Sequence, residues 1–210
     1  MSNFRLRPAA LSELSALSEL VNSAYRGDSS RLGWTTEADL LGGQRTDVQS
    51  LRAQLEASDS ALLLAEADGG GLLGCVYLER EEGGGAYLGM LTVAPDAQRG
   101  GLGKAILAQA EQYAARTWGA SSVSMTVIGQ REDILGWYAR RGYSDTGLTQ
   151  PFPYGDPRFG LPRRKDLYFK VLRKPLVASP TSGATAPAGS ASQPRAASAS
   201  PGSTAAPRDR

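Results

Sequence analysis

Gln98-Arg99-Gly100-Gly101-Leu102-Gly103-Lys104 lies between an apolar run, Tyr87 to Ala94, and an alanine-rich amphipathic stretch, Ala105 to Trp118. A strand, a glycine-rich turn and a helix start together make an anion cradle. Glycines let the backbone come close to the anion, and the first N–H groups of a helix have no intrahelical acceptor. The positive end of the helix dipole adds to the attraction. Two common phosphate loops fail on spacing. A P-loop ending at Gly103-Lys104 needs glycine at position 98 and a hydroxyl after the lysine, and the chain has Gln98 and Ala105 there. A dinucleotide loop starting at Gly101 needs glycine or alanine where Ile106 stands.

The spacing that fits is Gln-x-x-Gly-x-Gly, read as Gln98, Gly101 and Gly103 and preceded by Leu91-Thr92-Val93-Ala94-Pro95. A second cluster follows downstream, Leu135-Gly136-Trp137-Tyr138-Ala139-Arg140-Arg141-Gly142-Tyr143. Together they resemble the coenzyme A loop and the tyrosine helix of the GNAT superfamily of acyl-CoA-dependent N-acyltransferases.

The resemblance implies that the backbone of Arg99, Gly100, Gly101, Leu102, Gly103 and Lys104, with Gln98, holds the pyrophosphate of acetyl-CoA as acyl donor. It implies that Leu91 and Val93 pair with the pantetheine arm through their backbones, and that a backbone N–H near Leu91 polarises the thioester carbonyl. It also implies that Tyr138 protonates the departing thiolate. A phenol near its unperturbed pKa of about 10 is protonated at neutral pH and can donate. One departure stands out: many family members carry asparagine seven residues before this tyrosine, and here the residue is Arg131. Arginine has no acceptor group, so it cannot reproduce an amide contact.

The chain has no histidine and one cysteine. This excludes histidine triads, histidine-ligated metals and disulfides, and no metal is expected. Cys75 lies in an apolar run and reads as core. The attacking amine must be neutral, so a base is needed, and without histidine it is a carboxylate or a water relay. Glu37 and Glu79 are the candidates, with Glu81 beside the latter.

Two unpatterned stretches, residues 31–47 and 151–162, are rich in aromatics, glycine and proline, as rigid loops are. Trp34, Glu37, Arg45, Phe152 and Tyr154 are the candidates for an acceptor site there. The expected acceptor is a primary amine, of a small molecule or of a protein N-terminus or lysine. A coenzyme A-binding sensor without turnover is the reading from another class.

The elements that must position these groups follow from periodicity. Asn3 to Arg7 alternates as a strand, and Leu11 to Tyr25 has helical spacing stopped by Gly27. Asp47 can cap a helix to about Ala57. Ser60–Ala67, Leu72–Glu79 and Tyr87–Val93 read as a meander joined by glycine turns. A helix to Trp118, a strand Ser122–Ile128, a helix Asp133–Arg141 and strands from Tyr143 and over Asp166–Leu172 complete the order. The expected fold is mixed α/β, GNAT-like, with a mostly antiparallel central sheet flanked by helices.

From Ala178 onward the chain is nearly all Ala, Ser, Pro, Gly and Thr. Such a segment cannot bury enough surface to offset its ordering entropy and is expected to be disordered, leaving 1–177 as one domain. Net charge is +2. The short run Arg163-Arg164-Lys165 is too small to demand nucleic acid. No apolar run is long enough to span a membrane, and no signal-peptide core is visible. The expectation is a cytoplasmic monomer or homodimer without nucleic-acid or membrane partners.

Overall fold

The computed structural model describes residues 4–98 and 100–176. Asn3, Arg99 of the cradle and the 178–210 tail lie outside the described residues.

The elements in chain order are β1 (Phe4–Pro8), α1 (Leu14–Tyr25), α2 (Gly27–Ser30), β2 (Leu41–Gly42), α3 (Val48–Glu56), β3 (Ser60–Ala67), β4 (Leu72–Glu81) and β5 (Gly85–Val93). They continue with α4 (Leu102–Trp118), β6 (Ser122–Ile128), α5 (Glu132–Ala139), β7 (Ser144–Pro151), β8 (Leu161–Pro162) and β9 (Tyr168–Pro175). A seven-stranded sheet runs in the order β1-β3-β4-β5-β6-β9-β7, and only β5 and β6 are parallel. Asp47 does cap α3, its carboxylate accepting from Ser50 N at 2.7 Å. The element order matches the sequence reading. Its departures are local: residues 11–13 form a 3-10 turn before α1, and α2 and the two-residue ribbon β2–β8 carry no periodicity long enough to read.

Both faces of the sheet are covered. Leu63, Val76, Leu78, Leu88 and Val123 pack under Ile106, Leu107 and Ala110 of α4. On the other face Leu62, Leu64 and Cys75 pack under Leu14, Leu17 and Val21 of α1 and Leu51 of α3. The alternation of Leu62 to Ala65 on β3 and of Cys75 to Leu78 on β4 between these two clusters is what the pleat requires when helices lie on both sides.

β5 breaks that alternation once. Ala86 and Leu88 face α4, but so do Leu91 and Val93, one residue later than a regular pleat allows. Cys75 pairs with Thr92 and Tyr77 with Gly89, so two steps along β4 match three along β5. The extra residue is a bulge, and Met90 takes a positive φ of 51° within it. Bulges bend the strand that carries them. β5 and β6 accordingly pair only at Ala86–Val123 and Tyr87–Ser124, although β5 continues to Val93 and β6 to Ile128. The sheet splits open beyond that point.

Two consequences of packing are measurable. Cys75 is fully buried with Sγ 3.8 Å from the Met90 carbonyl, and burial pushes its thiol up to about 12. A disulfide-exchange reagent at pH 8 should leave it unlabelled in the native protein and label it once in denaturant. Prompt native labelling would contradict this placement.

At the sheet edge Arg7 joins Glu66 on β3 (2.8 Å) to Glu13 before α1 (2.6 Å). Hydrogen bonds from Arg7 and then Arg5 hold the Glu66 carboxylate down at about 2, below its usual 4.5. A carboxylate depressed in the folded state stabilises it above the unfolded pKa and loses that contribution as pH falls through the folded one. Thermal stability should therefore drop between about pH 4.5 and 2, and Glu66→Gln should flatten that drop. An unaltered acid profile in the variant would remove Glu66 from the account.

Candidate active site

The cradle closes as its glycines demand. Gly100 and Gly101 both sit at φ 82°, which an L side chain adopts only with strain. Ala105 N is the first to bond back, to Gly101 O at 3.1 Å, so the N–H groups of Leu102, Gly103 and Lys104 have no intrahelical acceptor. The side chain of Leu102 itself is buried under the sheet, so only its backbone is available to the cradle, while Lys104 is exposed.

A cleft of about 940 Å³ runs from this cradle along the split between β5 and β6. Gly101, Gly103, Lys104 and Gln98 line one end, Leu91 and Val93 the middle, and Tyr138 the wall from α5. Tyr138 is 9 % exposed and packs edge-on to Trp137 (4.9 Å between centroids) and Tyr143 (5.5 Å). Burial raises its phenol well above the ordinary tyrosine value, so it stays protonated and able to donate throughout the neutral range. Among the described residues its hydroxyl has no hydrogen-bond partner.

The backbone positions are occupied on their carbonyl side. Tyr25 at the end of α1 donates to Leu91 O at 2.7 Å, and Gln98 Nε2 donates to Val93 O at 3.1 Å. Sequence reasoning placed Tyr25 only on a helix face; its hydroxyl role depends on the bulge bringing Leu91 beneath it, which no local pattern encodes.

Gln98 does more than mark the motif. Its amide oxygen accepts from Trp34 N at 2.8 Å, and its nitrogen also donates to Thr35 Oγ1 at 3.0 Å. A Cβ on Gly33 would come within 2.5 Å of that amide, which is why glycine stands there. Arg131 grips the same loop from the opposite wall. It donates to Trp34 O (2.6 Å), Thr36 O (2.5 Å) and Thr35 O (3.4 Å), and its remaining N–H groups form a fork with Asp133 (2.9 and 2.8 Å). All five donors are engaged. The departure from the family's asparagine is therefore a strut holding the 34–36 loop. Trp34 completes the contact by packing on Trp137 at 5.2 Å.

Of the other acceptor-site candidates, Glu37, Arg45, Trp34 and Phe152 line the cleft. Glu37 forms a short ion pair with the buried Arg26. Arg45 lies 5.6 Å over the Tyr25 ring. Tyr154 does not line the cleft: it is 44 % exposed, and its hydroxyl accepts from Leu167 N at 2.7 Å, which fixes the 151–162 segment from outside. Glu79 is not in the cleft wall either. It accepts from the hydroxyl of Tyr77, which is, at 3.1 Å. Glu81 accepts from Ser124 Oγ at 2.6 Å, across β5 on β6. Both acids share the face of Tyr77 but lie further along β4, opposite Tyr87 and Gly85 at the end of β5 away from the split.

Among the described residues no three or more His, Cys, Asp or Glu gather where they could hold a metal ion. No helix among them is long and apolar enough to cross a membrane.

Residues 19–143, more than half the chain and spanning both the cradle and Tyr138, match the profile of the acetyltransferase (GNAT) family. The chain belongs to the GNAT family. It is an acetyltransferase, and the solved structures it resembles share its fold. One, described as a phosphinothricin N-acetyltransferase, is 17 % identical and covers 83 % of this chain and 99 % of its own, at a TM-score of 0.60. YncA of Salmonella typhimurium, an assigned acetyltransferase with its cofactor acetyl-CoA, is 19 % identical over 87 % of this chain and 100 % of its own, at 0.59. Spermidine N-acetyltransferase from Vibrio cholerae, in complex with CoA and spermine, is 15 % identical over 81 % and 94 %, at 0.59. No protein of curated function matches the chain.

Proposed function

We propose that this GNAT enzyme transfers acetyl from acetyl-CoA directly to the primary amine of a small molecule. The observation that carries the reading is the continuity of the cleft: Gly101, Gly103 and Lys104 of the cradle, Leu91 and Val93 of the opened β5 edge, and Tyr138 all line one 940 Å³ space. In that arrangement the N–H groups of Leu102, Gly103 and Lys104, with the Lys104 ammonium, would hold the pyrophosphate. A backbone N–H at Leu91, set off the regular ladder by the bulge, would meet the developing oxyanion.

The amine nitrogen bonds to the acyl carbon as the C–S bond breaks, and Tyr138 gives its proton to the departing sulfur. The amine's proton leaves through water, with Glu37 the carboxylate placed in the cleft to receive it. Direct transfer is favoured because Cys75, the chain's one thiol, is buried away from the cleft and held protonated. A small acceptor is favoured because the 31–47 segment and Phe152 wall the cleft.

The test is release of free coenzyme A thiol from acetyl-CoA over a panel of small amines, peptides with free N-termini and lysine-containing peptides. Turnover confined to small amines supports the proposal. Turnover of peptides alone moves the acceptor to proteins. Tight binding of acetyl-CoA with no turnover would leave a sensor.

A further inference from the structure

On the acceptor side of the cleft, Arg45 carries a positive charge that no carboxylate among the described residues meets. Each carboxylate lining the cleft is already engaged. Glu56 lies 3.7 Å from Arg52, Asp47 caps α3, and Glu37 is paired with Arg26. Arg45, half-buried, forms no ion pair among the described residues. Its guanidinium lies over Tyr25, whose hydroxyl holds Leu91 O at the bulge. Its positive charge also opposes the effect of burial on Tyr25, Cys75 and Tyr87. The backbone is pinned, Asn22 Oδ1 accepting from Arg45 N at 2.6 Å, so the side chain starts from a fixed root. A partly desolvated guanidinium without a counter-charge is costly, and a planar anion that docks on it recovers that cost through paired, charge-assisted hydrogen bonds.

Resting on the reading of the enzyme as a small-amine acetyltransferase, we propose that its acceptor carries an anionic group beside the amine. It is an amino-acid-like molecule whose carboxylate pairs with Arg45. The amine then points toward Leu91 and Tyr138. A polycation fits poorly, because it would enter a space where every carboxylate is already paired and Arg45 repels it.

The experiment compares matched acceptors in the thiol-release assay: free amino acids, the same amino acids as carboxamides, and spermidine. Wild-type enzyme should favour the carboxylate forms in kcat/KM by about 10-fold or more, the discrimination expected when a charged partner is left unmatched. Arg45→Met should reduce that carboxylate-to-carboxamide ratio by about 10-fold, and Arg45→Lys should keep part of it. Equal or better use of carboxamides or spermidine by the wild type overturns the inference while leaving the proposed function standing. So does a ratio that survives Arg45→Met.

If no amine releases coenzyme A, the proposed function falls. Thermal shifts with coenzyme A present then read the acceptor site alone: stabilisation by amino acids and not by their carboxamides upholds the anion site, and equal shifts or none overturn it. Native melting of the Arg45 variants shows that they fold.

Discussion

Replacing Tyr138 with phenylalanine should lower kcat by about 10²–10³-fold while leaving acetyl-CoA affinity nearly unchanged, because a positioned general acid contributes on that scale. The ring that packs on Trp137 and Tyr143 is retained, and the hydroxyl has no partner to strand among the described residues. Stability should therefore shift by less than about 1 kcal/mol. The pH profile sharpens the test. Burial lifts the phenol above its ordinary value, so the wild type should show no falling limb from this group below about pH 10. Single-turnover kinetics with a saturating amine would read the chemical step. A variant with full kcat would remove Tyr138 from the reaction.

The second large effect should come from a residue that touches neither substrate in the proposed arrangement. Arg131→Met deprives three successive carbonyls, Trp34, Thr35 and Thr36, of their donor and breaks the fork with Asp133. The 34–36 loop would then keep Gln98, the packing of Trp34 on Trp137 and the hydroxyl bonds of Thr35 to Ala24 O and of Thr36 to Ser30, but none of its carbonyls would have the guanidinium. Misplacement of about 1 Å in a wall of an active site can cost on the order of 10²-fold, so kcat/KM for the acceptor should fall by about 10–100-fold. Arg131→Lys should not restore it, because one ammonium cannot span three carbonyls and a carboxylate. Retention of wild-type kcat/KM in Arg131→Met would show that the loop stands without the strut.

What could be read from the chain divides along the range of the interactions. The cradle was legible because its chemistry is local: glycines at positive φ, a helix start and a lysine lie within a few residues. The element order was legible for the same reason, since alternation and helical spacing are properties of short windows. The role of Arg131 was not, because its partners lie about a hundred residues earlier and the spacing announces only a missing asparagine. Tyr154, expected in the acceptor site, and Glu79, a candidate base, carried suitable chemistry but do not line the cleft. Tyr154 anchors its own segment through Leu167, and Glu79 sits two residues beyond Tyr77 along β4, opposite Tyr87 at the end of β5 away from the split. Arg26 was missed altogether, since a buried arginine pairing with Glu37 looks in sequence like any surface cation.

The extra residue in β5 sets the sheet's own stability against its use. Gly89 could be deleted without moving any core side chain to the wrong face: Met90 would stay with Tyr77 and Cys75, and Leu91 and Val93 would stay with α4. The shortened strand would follow a regular pleat and could hydrogen-bond to β6 along more of its length. An optimiser rewarding only pleat regularity and ladder bonds would make that deletion. It would return a better sheet with nowhere to put a substrate.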